Sequence, residues 1–265
     1  MGNEVKRGGM TGLSMLRAAA IAFSTYSAIP VPQVAWTEEN RRLAMCFFPL
    51  VGAVIGLLLW GWLALADALQ VGSFLRGAVA ALIPLLVTGG IHMDGFMDTS
   101  DALASWQTKE KRLEIMKDSH VGAFAVMHCA GYLLVQAAIY GEAAKGAGPM
   151  LACVFVLSRA MSAWALTALR NARPKGMLDA FGRAAGRRMT LISGLVYASV
   201  CLGVLISCDI RLATMCIVAA AVCLFVYRGT AYRQFGGVTG DLAGWFLQVT
   251  ELALSAVIII GGRLI

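Results

Sequence analysis

Apolar residues in this chain come in long blocks separated by short polar interruptions, not as one stripe on otherwise polar helices. Seven blocks, at roughly 43–66, 74–91, 121–140, 150–169, 189–207, 211–227 and 245–262, are mostly apolar over about 18 residues or more, the length needed to cross a bilayer as a helix. The pattern therefore predicts an all-α fold: a polytopic membrane helix bundle of about seven transmembrane helices, with residues 1–265 forming a single integral membrane domain. Segment 12–29 carries Arg17 and many small or hydroxylated residues, so it reads as an interfacial or re-entrant helix, an eighth span being the alternative. Lys6 and Arg7 resemble the start of a secretory leader, but the polar interruptions that follow argue against a cleaved one.

Composition agrees with the pattern. Only 14% of the 265 residues are charged, 59% are hydrophobic, and mean hydropathy is +0.74, outside the habit of soluble domains of this size. The seven cysteines lie in or at the ends of spans, without CxxC pairs or metal-ligand spacing, and read as packed, reduced thiols. Basic residues orient the chain. Seventeen Lys and Arg fall in the N-terminal region through Arg42 and in loops 92–120, 170–188 and 228–244, against four (Arg76, Lys145, Arg211, Arg263) on the other side. Such a bias places the long polar loops in the cytoplasm. The opposite loops are too short to build a site, and the net charge of +7 follows from the same bias without any nucleic-acid partner.

The stretch "GGIHMDGFMDTSDAL", 89–103, follows the second block and holds three acids. On a helix, Asp94, Asp98 and Asp101 share one face, where their repulsion is tolerable if a cation sits among them. Oxygen ligands without nearby cysteine suit Mg2+ or Mn2+, ions that keep waters and bridge to phosphates. Gly95 leaves its backbone open to close approach by a bulky group. Asp118, in "MKDSHVGAF", is either a fourth ligand or, with Ser119, a cap on the next helix. His92 and His120 flank the cluster as acid–base or structural groups, and His128 reads as a packing residue.

Two further loops offer phosphate chemistry. "LRNARPKGMLDAFGR", 169–183, gathers Arg170, Arg173, Lys175 and Arg183 around the helix breakers Pro174 and Gly176. Arg173 and Lys175 read as a diphosphate clamp, whereas Arg187 and Arg188 need only topology to explain them. "FGGVTGDLAGW", 235–245, is a glycine-rich turn around Gly240 whose amides can cradle phosphate, with Asp241 available to a metal or hydroxyl. Arg159 and Glu251 fall at membrane depth, where charges pair or serve function, and at comparable depths that predict mutual approach or a place in the site floor.

With "SAIPVP", "GGIHMDGFMDTSDAL", "IMKDSHVGAF", "SRA…ARPKGM" and "GGVTGDLAG" in this order, nearly the whole chain resembles the cobalamin synthase family, the adenosylcobinamide-GDP ribazoletransferases. The resemblance implies a multi-pass inner-membrane enzyme, active site toward the cytoplasm. It would join adenosylcobinamide-GDP to alpha-ribazole or its 5′-phosphate and release GMP. By position it implies Asp94, Asp98, Asp101 and Asp118 as Mg2+ ligands, with Arg173, Lys175 and Asp241 in substrate-binding loops. Asp101 or Asp118 is then the candidate proton acceptor. Ala102 and Gln248 depart from residues common in the family, without removing a proposed ligand. The implied partners are these small molecules and the lipid bilayer, and a homo-oligomer is compatible.

Other classes fit less well. Prenyltransferases carry a second aspartate-rich motif, which this chain lacks, and CDP-alcohol phosphotransferases carry an Ala-Arg pair missing after Gly95. A cation transporter needs polar groups near the midplane, but most carboxylates here sit in the cytoplasmic loops.

Overall fold

The computed structural model describes residues 12–172 and 184–264, and every regular element among them is helical. Helix α1 (Gly12–Tyr26) leads through an extended segment to α2 (Glu38–Ala68), which Thr37 starts by accepting the Asn40 N–H. There follow α3 (Ser73–Thr88), α4 (Ile91–Ala104), α5 (Lys109–Ile115), α6 (Ala123–Gly141) and α7 (Gly148–Ala168). The chain continues with α8 (Ala184–Cys208), α9 (Ile210–Thr230), a π-helical turn (Ala231–Phe235) and α10 (Gly240–Ala256). A second π-helical turn, Val257–Gly261, extends α10 toward the C-terminus.

Six helices among the described residues are long and apolar enough to span a membrane: Leu43–Ala68, Ala123–Gly141, Gly148–Ala168, Gly186–Cys208, Ile210–Phe235 and Gly240–Leu264. The chain is thus a multi-pass membrane helix bundle. The expected span at 74–91 differs. Helix α3 has 16 residues, about 24 Å at 1.5 Å per residue, and then the chain bends by 98° into α4. The bend is written in Gly89 and Gly90, both at positive φ (63° and 83°), where Gly89 closes α3 as a left-handed cap. Helix α4 consequently leaves the direction of the spans and carries the acidic residues across the end of the bundle. With only 15 residues, about 22 Å, α1 is shorter than a hydrocarbon core of about 30 Å and packs along α2.

Bilayer-type packing relies on close backbone approach, because apolar side chains gain nothing by leaving lipid for protein. At Gly52 and Gly56, α2 and α7 meet with no room for a side chain: a Cβ at Gly56 would lie 2.5 Å from the Ala152 carbonyl oxygen. Around this contact Ile55, Leu59, Leu151 and Phe155 form the inner core. Helices α8 and α9 are peripheral, presenting Leu195, Val200, Val218 and Phe225 outward.

The end opposite α4 is stapled. Arg76 pairs with Asp67 at 3.1 Å and donates to the Ala143 carbonyl, while Arg263 reaches Glu142. Two of the four minority-side cations, Arg76 and Arg263, therefore meet neighbouring partners at one end, away from the polar segments around α4. All seven cysteines are free thiols, and Cys208 is the exposed one.

Candidate active site

Beyond the glycine bend, α4 carries Asp94 exposed and Asp98 and Asp101 half-buried. The Asp98 carboxyl is pushed up to about 6, first by partial burial and then by the negative charges of Asp94, Asp241 and Asp101. That group of four is one larger than the sequence trio, because the start of α10 brings Asp241 alongside. The reason lies at Gly95. A Cβ there would lie 2.7 Å from the Asp241 carbonyl oxygen and 2.9 Å from its Cα, so α10 rests directly on the α4 backbone. Gly95 was expected to admit a bulky ligand; its open face is instead filled by the Asp241 backbone. Gly244, one turn on, sits 3.0 Å from the His92 carbonyl oxygen by the same measure and lengthens the contact.

Asp101 has a second employment. Its Oδ1 accepts the Ala125 N–H at 3.1 Å, placing a carboxylate on the N-terminus of α6, where the helix dipole and unbonded amides favour negative charge. Gly122 makes this possible, since any Cβ there would collide with the Asp101 carboxylate. Asp118 is placed differently from the others. Exposed, it accepts the His120 N–H at 3.0 Å and meets His120 Nδ1 at 2.6 Å, bonds that hold its carboxyl below the usual range. It does not figure among the charges acting on Asp98, so the structure brings Asp241 rather than Asp118 to the group.

The glycine-rich loop and the basic loop are joined by backbone. Val238 N–H donates to the Arg170 carbonyl at 2.9 Å and Ala172 N–H to the Val238 carbonyl at 3.0 Å, a parallel bridge around Asn171. Thr239 then caps α10 by accepting the Leu242 N–H at 3.1 Å, and a Cβ at Gly240 would meet open space. Loop 170–172, loop 236–239, Asp241 and the α4 acids thus form one continuous arrangement. Arg173 and Lys175, together with Pro174, Gly176 and Arg183, lie outside the described residues.

Beneath it, Arg159 Nη1 meets Glu251 Oε1 at 2.6 Å, and Ser158 Oγ donates to the same oxygen at 3.0 Å. Both charged side chains are shut off from solvent, at 1% and 0% exposure. Arg159 also lies 5.8 Å from the Phe48 ring, whose centroid is 5.5 Å from that of the buried His92 on α4. The predicted approach of the two membrane-depth charges is present, and the pair underlies the aspartate helix instead of opening to a ligand. His128, expected to pack, is on the exposed face of α6, bonded to the Phe124 carbonyl at 2.8 Å.

What the arrangement can hold follows from its donors. They are carboxylate oxygens, which suit a hard divalent cation. Among the described residues no three His, Cys, Asp or Glu side chains converge to hold a metal alone. The group lacks the donors of a closed protein cage; a hard divalent cation held here would take one or two carboxylates and complete its shell with other oxygen ligands. Sequence reasoning missed the bridge between the loops, the cap made by Asp101 and the contacts of Arg170 and Arg228 with the Tyr232 ring. Apart from Arg228 and Tyr232, four positions apart, the pairs responsible are distant in sequence, and the Gly-Gly bend left a local signal.

Residues 18–259 match the family described as Cobalamin-5-phosphate synthase. The chain is 40% identical over 249 residues to the adenosylcobinamide-GDP ribazoletransferase of Lachnoclostridium phytofermentans, covering 94% of this chain and 95% of the relative. It is 34% identical over 251 residues to that of Geobacillus kaustophilus, covering 90% and 93%. A protein of the same name from Clostridium botulinum strain Alaska E43 is 29% identical over 243 residues, covering 90% and 95%. No solved structure matches the chain.

Proposed function

The chain belongs to the cobalamin-5-phosphate synthase family, and from that premise we propose that it transfers the adenosylcobinamide phosphate moiety from adenosylcobinamide-GDP to alpha-ribazole or its 5′-phosphate. GMP is released, and the site faces the cytoplasm from the inner membrane. The observation that carries this reading is the meeting of three distant segments at one end of the bundle: the α4 acids, Asp241 at the start of α10, and the backbone-bridged loops at 170–172 and 236–239.

In this reaction a ribazole hydroxyl oxygen forms a bond to the phosphorus beside the cobinamide arm. The bond from that phosphorus to the bridging oxygen of GMP breaks, and GMP leaves in line with the attack. The hydroxyl proton passes to a carboxylate. Asp101 already accepts the Ala125 N–H, so its carboxylate is held in a fixed direction beside the other acids, whereas Asp118 is paired with His120 apart from them. Asp94 and Asp98 are the residues that would hold Mg2+, with Asp241 beside them. When bound, that ion neutralises charge on the phosphoryl oxygens. Gly240, where a Cβ would meet open space, offers the phosphates a backbone approach at the start of α10, and Arg173 and Lys175 supply positive charge from the basic loop.

Orientation rests on the basic bias, because every segment of the arrangement belongs to the Lys- and Arg-rich side. The bilayer covers the apolar faces of α6, α8 and α9, and a homo-oligomer would use the same surfaces. The reading is tested with purified full-length protein in lipid, supplied with adenosylcobinamide-GDP, ribazole phosphate and Mg2+. Stoichiometric GMP and a cobalamin product are expected, and the absence of product with any divalent ion would overturn it.

A further inference from the structure

Tyr232 stands in the π-helical turn Ala231–Phe235, between α9 and the glycine-rich loop. Such turns widen a helix by one residue, redirect side chains and occur often at functional sites. Its ring carries two guanidinium groups: Arg170 at 5.7 Å and Arg228 at 6.0 Å from the centroid. Among the described residues neither arginine makes an ion pair with an acid.

Topology alone explains basic residues near the ends of spans, but it does not explain why these are fixed. Arg170 is held at three points: its Nη2 donates to the Gly236 carbonyl at 2.9 Å, its backbone N–H donates to the Tyr232 hydroxyl at 3.0 Å, and its guanidinium stacks on the ring. The turn itself is anchored from α5, where the buried Arg112 donates to Gln234. Two guanidinium groups are thereby held around one ring, the kind of donor set that grips phosphate. Both heads are exposed, so an anion can reach them. Loop 236–239 ties this pair to Asp241 and the α4 acids.

We infer that Arg170 and Arg228, spaced by Tyr232, form a phosphate-binding seat at the margin of the candidate active site. Under the reading proposed above, on which this assignment rests, the occupant is the phosphate of the nucleotide half of the substrate, and GMP as product uses the same seat. Because α9 is largely lipid-facing and Arg228 ends it, the phosphate of an anionic lipid headgroup offers the same chemistry.

The test measures binding, not turnover, so it stands apart from failure of the transfer reaction. Full-length protein in nanodiscs of neutral lipid is titrated with GMP and with inorganic pyrophosphate at low and high salt. Arg170→Gln and Arg228→Gln are each expected to weaken binding about tenfold or more and to flatten its salt dependence. Tyr232→Phe keeps the ring and loses the bond to Arg170, so it should cost less than Tyr232→Leu. In nanodiscs containing phosphatidylglycerol, loss of GMP binding by the wild type with tighter lipid retention than in the arginine variants would support the seat with lipid as its occupant. Unchanged GMP, pyrophosphate and lipid binding in both arginine variants, with the fold intact by thermal unfolding, would overturn it.

Discussion

Removing Glu251 should leave a guanidinium alone in the interior. In Glu251→Leu, Arg159 loses a 2.6 Å partner at a place where its own side chain is 1% exposed. It retains the Phe155 carbonyl at 3.1 Å, the Ser158 hydroxyl at 3.5 Å and the faces of two rings, none of which carries a full negative charge. Two unit charges about 4 Å apart interact by about 4 kcal/mol at an effective dielectric near 20, and breaking a buried pair from one side costs about 3–5 kcal/mol. The expected loss is therefore about 3–5 kcal/mol for Glu251→Leu, and similar for Arg159→Met, which strands the carboxylate. The double variant removes both desolvation penalties and should fall well short of the sum of the singles, with a coupling of at least about 2 kcal/mol. Reversible unfolding in mixed micelles, titrated with denaturing detergent, measures all four corners of the cycle. Additivity within about 0.5 kcal/mol would refute the claim that the two charges are buried as a mutual pair.

Asp98→Asn should abolish GMP release while leaving the protein inserted and cooperatively folded; near-normal turnover would remove Asp98 from the reaction. The raised Asp98 carboxyl also sets a pH signature. The fold holds that proton up to about pH 6, whereas the unfolded chain releases it near 3.8, so the contribution is complete below 3.8 and is lost as pH rises through 6. In chelator, the wild type should lose more stability than Asp98→Asn across that window by thermal unfolding, and parallel curves would contradict the crowding of carboxylates. Gly122→Ala should displace Asp101 from the α6 terminus, costing about 1 kcal/mol in stability and a larger fraction of kcat; an unaltered Tm and kcat would show the cap to be dispensable.

The sequence determined the class of molecule, and it did so through quantities that add up locally. Apolar blocks of spanning length need no tertiary information, because a helix in lipid satisfies its own backbone. Acids at α4 spacing are likewise legible, since i, i+4 and i+7 share a face whatever the helix packs against. Tertiary structure decided the rest. It cut the block at 74–91 short with a 98° bend, because two adjacent glycines adopted positive φ. It brought Asp241 to the acids, because α10 lies on Gly95 where α4 carries no side chain, and it left Asp118 with His120. Which carboxylates share a field depends on a crossing of α4 and α10 between residues more than a hundred positions apart, and Arg170 reaches the Tyr232 ring across 62 positions. Such crossings are set by backbone proximity, a property no stretch of sequence carries alone.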